Sequence, residues 1–115
     1  MKIDVLTKNV EMTRAIQSYI NKKIAILGSL IKRFEKESEV TLFLEIARTT
    51  KHHKRGEIFY AEGTLNLSGK TIRAEEYNID LYSAIDMLKQ TLKNDIIKHK
   101  NKIVDRNIRK KNKRK

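Results

Sequence analysis

Two periods alternate along this chain, and elements begin and end where one gives way to the other. Ile3, Val5 and Thr7 face one way and Lys2, Asp4 and Leu6 the other, the two-residue period of a strand. Thr13 is a short hydroxyl residue suited to cap a helix. After it, Ile16, Ile20, Ile24, Leu27, Ile31 and Phe34 recur at steps of three or four. That stripe predicts a helix over about residues 14–34, with Gly28 inside it at a cost of about 1 kcal/mol against alanine. Val40, Leu42, Leu44 and Ile46 then alternate with Thr41, Phe43, Glu45 and Ala47, a second strand. Phe59, Ala61, Gly63, Leu65 and Leu67 mark one side of a third. Ser68-Gly69 is a two-residue hairpin signal, and a fourth strand runs from about Lys70 to Glu76. The period then changes again. Leu81, Ile85, Leu88, Leu92 and Ile96 form one helical face. Asn78 or Asp80 can cap that helix, Asp80 being preferred, and Lys98, Lys100 and Lys102 load the end where positive charge suits the dipole.

The order is β-α-β-β-β-α, an α+β fold. Three hairpin-linked strands make an antiparallel sheet, and the first strand joins it through the first helix. Each helix has a single apolar stripe, so both are expected on one face of the four-stranded sheet, leaving the other face outward. With 115 residues, one domain is the expectation. The periodic pattern stops near Asp105. A domain over 1–104 followed by a basic, disordered arm over 105–115 is the natural division.

Charge sharpens this picture. The net charge is +12, and residues 98–115 hold ten basic residues against one acid, Asp105, which is +9 of that total. A polyanion is the partner such a distribution fits. There is no cysteine, which excludes disulfides and thiolate metal sites and suits a reducing cytoplasm. No apolar run approaches the roughly 20 residues that span a bilayer. The start, M-K-I-D-V-L-T-K-N, reads as a strand rather than a signal peptide.

A single lysine is usually a solvated helix face; a cluster is a phosphate-binding surface. Lys22, Lys23, Lys32 and Arg33 fall off the first helix's stripe, and Lys89 and Lys93 lie four apart on the second. Lys98, Lys100 and Lys102 follow, then Arg106, Arg109 and Lys110 of the arm. Two adjacent helices would place these charges in one field. RNA would then be gripped by shape and phosphates. Tyr60, on the outer sheet face, is the more open of the tyrosines that could stack on bases; Tyr82 is expected to pack a corner of the core, and Tyr77 lies in the connection. Glu75, Glu76, Asp80 and Asp86 are read as caps, dipole partners and partners of Arg73, with Asp86 a structural contact. His52 and His53 sit in a basic loop, Lys51–Arg55, better suited to RNA contact than to a metal. No phosphate-binding glycine loop and no nucleophile elbow occur.

One combination at fixed spacing is more specific. Ile72-Arg73-Ala74-Glu75-Glu76, then Asp80-Leu81-Tyr82-Ser83-Ala84-Ile85-Asp86, then Lys98-His99-Lys100 resembles the ribosome hibernation factors. That family includes the hibernation-promoting factor and the ribosome-associated inhibitor. The resemblance covers roughly Met1 to Lys102 and implies a double-stranded-RNA-binding-like arrangement. It implies a translation inhibitor that occupies the path of mRNA and tRNA between head and body of the small subunit and silences idle ribosomes. Its partners would be the small subunit, its ribosomal RNA and the intact ribosome; the protein would be a monomer elsewhere, with no cofactor, no metal and no enzymatic activity. Lys23, Lys98, Lys100 and Lys102 match the family's RNA-binding positions. Thr91 and Asn94 stand where members often carry cations, and Ile26 where some carry lysine; Lys89 and Lys93 compensate from a neighbouring face. The alternatives are a general RNA-binding module and, from another class, a nuclease using Glu75, Glu76 and Asp80.

Overall fold

The computed structural model describes residues 1–36, 38–49, 58–67 and 69–113, with the backbone alone at 33, 105, 107 and 109–113. Its elements are β1 (Lys2–Lys8), α1 (Arg14–Glu35), β2 (Thr41–Thr49), β3 (Ile58–Leu67), β4 (Lys70–Asn78) and α2 (Leu81–Lys113). They build a four-stranded sheet in the order β1-β2-β3-β4. β1 runs parallel to β2, with Ile3 opposite Leu42 and Val5 opposite Leu44. A parallel pair needs a crossover, and α1 supplies it. The other pairs are antiparallel.

The alternation along each strand decides where the core lies. Leu42, Leu44 and Ile46, then Ala61 and Leu65, then Ile72 and Ala74 are buried beneath the stripes of both helices in one cluster. No polar or charged side chain among the described residues is fully buried. Gly63 sits mid-sheet opposite Leu44 and Ala74. A Cβ there would lie 3.0 Å from Leu92 Cδ1 and 3.5 Å from Leu88 Cδ2. The bare backbone at Gly63 is what lets α2 settle onto β3.

Both expected caps are present. Thr13 Oγ1 accepts from the Ile16 N–H at 3.1 Å. Asp80 Oδ2 accepts from the Ser83 N–H at 3.1 Å and from the Ser83 hydroxyl at 2.7 Å. Asn78 takes the other role open to it: its Oδ1 accepts from the Asp80 N–H at 2.9 Å and shapes the turn into the helix. Replacing Asp80 by alanine is expected to lower stability by about 0.5–2 kcal/mol, the usual range for a lost N-cap, as read by urea unfolding. Gly69 turns the β3–β4 hairpin at φ 74°, a conformation that favours glycine.

Two boundaries differ from the pattern. β4 continues to Asn78, so Tyr77 lies in the strand rather than in a connection. α2 runs unbroken to Lys113, in place of a helix end near Lys102 and a disordered arm. The apolar stripe thins after Ile96, but Ile103 still packs against the core. Beyond it the chain is rich in Lys and Arg, good helix formers, with neither Gly nor Pro to stop it. A run of like charge points to disorder; residue-by-residue propensity favours the helix. The Lys51–Arg55 loop with His52 and His53, and Ser68 of the hairpin turn, lie outside the described residues.

Candidate nucleic-acid interface

Side chains on a helix advance about 100° per residue, and that rotation divides the basic residues of α2. Lys89, Lys93 and Lys100 fall on the flank toward α1 and are half-buried. Lys98 and Lys102 fall on the flank beside β4 and are exposed. Between the flanks runs an exposed ridge of Gln90, Asn94, Ile97 and Asn101. The single field expected from the sequence is therefore two flanks separated by a neutral ridge.

The α1 flank is built on a clasp between the helices. Tyr19 donates its hydroxyl to Asp86 Oδ1 at 2.6 Å. Lys23 Nζ lies 3.1 Å from the same oxygen and 5.2 Å from the centre of the Tyr19 ring. The edge of Tyr82 meets Tyr19 at 4.8 Å between ring centres. The hydrogen bond from Tyr19 holds the Asp86 carboxyl below its ordinary pKa and pushes the Tyr19 hydroxyl up. The bond to Asp86 likewise raises Lys23. Asp86 is thus the structural contact expected, and Lys23 spends part of its charge inside the fold. Lys22, beside it, is exposed, as is Lys32 a few turns on.

The β4 flank is a groove. Lys70, Thr71, Ile72 and Arg73 of β4 face Asp95, Lys98, His99 and Lys102 of α2 across an open space of ≈ 280 Å³. Arg106, one turn beyond Lys102, is exposed. Arg109 and Lys110 lie on α2 by their backbone; their side chains fall outside the described residues, as does that of Arg33. Sequence reasoning does not place Lys70 and Arg73 beside the basic end of α2. No local period links them to residues 98–102; the return of α2 alongside β4 does. The positions where the resemblance lacks cations also find their place. Asn94 is on the ridge, Thr91 donates its hydroxyl to Glu76 Oε1 at 2.8 Å, and Ile26 is 42% exposed on α1.

The outer sheet face is a hydrogen-bonded network. The Tyr60 hydroxyl bonds to the carboxylates of Glu62 and Glu75, and its pKa is pushed up by burial and then by those two acids. Arg73 pairs with Glu62 at 2.7 Å, not with the acids of its own strand as expected. Register puts Glu62 opposite Glu75 and Thr64 opposite Arg73, so Arg73 reaches a diagonal neighbour. Tyr60 is consequently tied down, and Tyr77, 55% exposed and 5.0 Å from the Tyr60 ring, is the open one. Tyr82 meets Tyr19 at the corner between the helices and stays partly exposed.

Glu75, Glu76 and Asp80 do not converge. Glu75 bonds Tyr60 on the outer face, Glu76 bonds Thr91 of α2, and Asp80 caps α2. Among the described residues no group of three or more His, Asp or Glu is placed to hold a metal ion. No described helix is long and apolar enough to cross a membrane.

Known proteins share this architecture. The ribosome hibernation promotion factor of Lactococcus lactis is 33% identical over 103 residues, 90% of this chain and 51% of that protein. The ribosome hibernation promoting factor of Escherichia coli is 28% identical over 103 residues, covering 90% of this chain and 97% of that one. The chain thus spans about half the length of the first relative and nearly all of the second. The crystal structure of the Thermus thermophilus Protein Y N-terminal domain superposes with a TM-score of 0.64 at 31% identity, over 84% of this chain and 96% of that one. A ribosomal subunit interface protein from Coxiella burnetii shares the fold, with a TM-score of 0.68 at 20% identity over 88% of this chain and 99% of that one. The model of the Sigma 54 modulation protein / S30EA ribosomal protein family matches residues 3–104. The chain belongs to that family.

Proposed function

We propose that this protein is a ribosome hibernation factor that binds the small ribosomal subunit in the mRNA/tRNA channel and inhibits translation by occupying that path. The observation that carries the reading is α2: one continuous helix with cations on both flanks, set beside α1 with Lys22 and Lys32 exposed. Such a helix can lie between two RNA surfaces and meet phosphates on each. The names of the relatives, hibernation factors and a subunit interface protein, support the ribosome as the RNA in question. Occlusion needs no reacting group and no cofactor, only affinity and bulk. A monomer acting in the cytoplasm suffices.

The test is sucrose-gradient co-sedimentation with separated subunits and intact ribosomes, at low and at moderate salt. The protein should travel with the small subunit and the intact ribosome, survive moderate salt, and be displaced by excess tRNA. Smearing over all RNA and release by salt would leave a general RNA-binding module instead. The basic end of α2 is part of the proposal. Removing residues 106–115 should flatten the dependence of log K on log salt by about 0.7–0.9 for each phosphate that is no longer neutralised. An unchanged slope takes that segment off the RNA.

A further inference from the structure

Beneath the cations of the β4 flank lies an imidazole. The His99 ring stacks on Phe34 of α1, ring centres 5.5 Å apart and tilted by 21°. It lines the groove with Lys70, Arg73, Asp95, Lys98 and Lys102. Its Nε2 is buried with no hydrogen-bond partner in the fold. A buried polar nitrogen without a partner is unfavourable, and positive groups crowd around this one. Phe34 faces it from α1 and Lys70 from β4. From α2 itself come Asp95, Lys98, Lys102 and Arg106. Four of the residues that line the groove are cationic and one is acidic. The Arg73 side chain is turned to the outer sheet face by its pair with Glu62, whereas Lys70, Lys98 and Lys102 are exposed. Lys98, Lys102 and Arg106 repeat every four residues, about 6 Å apart along the axis, a row that the backbone of one RNA strand can follow.

We propose that this groove is a subsite for the RNA phosphate backbone in which His99 is a proton-linked ligand group. It rests on the reading above in taking RNA as the ligand. A phosphate between Lys70 and Lys102 offsets the cations that oppose protonation of His99. A protonated imidazole in turn adds a positive charge beneath that phosphate, so the gain is electrostatic. In the free protein, burial and then Lys70, Lys102 and Arg106 hold the His99 pKa below the ordinary histidine value. The neutral ring therefore stabilises the fold fully above about pH 6.5, and that contribution is lost as pH falls. RNA binding has the opposite sign. Phosphodiesters keep their charge through this range while His99 gains one, so the complex tightens as pH falls.

The probe is a labelled short oligouridylate bound to the full chain at low salt and followed by fluorescence anisotropy. Affinity at about pH 5.5 should exceed that at about pH 7.5 by roughly twofold or more, the direction set by the linkage between proton uptake and RNA binding. His99→Gln keeps a donor in the same region and should abolish the part of this gain that His99 supplies; His52 and His53 are present in both proteins, so the comparison isolates His99. Lys70→Gln should weaken binding at both pH values. If the glutamine variant does not fold, proton NMR of the wild-type imidazole decides: the oligonucleotide should move its titration upward. An unmoved titration, an identical pH dependence in the glutamine variant, or an equal shift with polyglutamate overturns the proposal. The two readings fail separately. Small-subunit binding with an unmoved His99 leaves the ribosomal proposal standing without this one; a shifted His99 without subunit binding does the reverse.

Discussion

Reversing Lys89 and Lys93 to glutamate should weaken binding to the small ribosomal subunit by about a hundredfold or more. Both lie on the α1 flank of α2, with their stems half-buried and their charges at the seam between the helices. A hydrogen bond to a charged partner contributes about 1.5–3 kcal/mol, so losing two removes about 3–6 kcal/mol before any repulsion is added. A factor of ten corresponds to about 1.4 kcal/mol. Lys23 is the wrong residue for this test. It is bonded to Asp86 inside the clasp, and reversing it would disturb the helix pair as well as the RNA contact. Lys89 also acts favourably on Asp86, but at a surface position such a change usually moves stability by only about 0.5 kcal/mol. Filter binding on purified subunits, paired with urea unfolding of the variant, separates the two effects. A loss of less than about threefold would move the interface away from the α1 flank.

Leu92→Ala should cost about 2–5 kcal/mol of folding stability, the range for large-to-small changes at fully buried sites. Leu92 is 0% exposed and lies against the backbone of Gly63 at the centre of the sheet. Because the total stability of a domain is about 5–15 kcal/mol, this one substitution brings the fold close to its limit. The urea midpoint should fall while the slope stays unchanged, since the area exposed on unfolding is nearly the same. A cost below about 1 kcal/mol would mean that α2 is not seated on β3 through this residue. The comparison with the lysine pair is informative. One variant weakens the fold and leaves the cations of α2 in place; the other keeps the fold and loses the binding.

Much of the architecture is legible because its signals are local. Strand alternation and helical stripes name the residues found in the core, and Thr13 and Asp80 cap the helices that follow them. The departures have local causes too. Tyr77 falls outside the strand that the pattern predicts because Glu76 and Asn78, which follow Ile72 and Ala74 on the core-facing side, are polar and end the alternation. The end of α2 reads as a disordered arm where a run of like charge is weighed above good helix formers with no breaker among them. The partners of the charged residues escape the pattern where they cross strands. Arg73 finds Glu62 because register sets them diagonally, and register is not visible within either strand alone.

The sequence by itself determined the order of the elements, the residues of the core, the two caps and the excess of positive charge. Each depends on neighbours three or four positions away, or on composition. Only the tertiary structure decided how that charge is distributed. α2 lies over β3 with Leu88 and Leu92 against Gly63, and this seating fixes which way every other side chain of the helix points. It sends Lys89, Lys93 and Lys100 toward α1, and it brings Lys98, His99 and Lys102 against Lys70 and Arg73 from the far end of a hairpin. The rotation of a helix about its own axis is set by the shape of the surface it packs on. That shape comes from residues distant in the chain, so periodicity alone does not contain it.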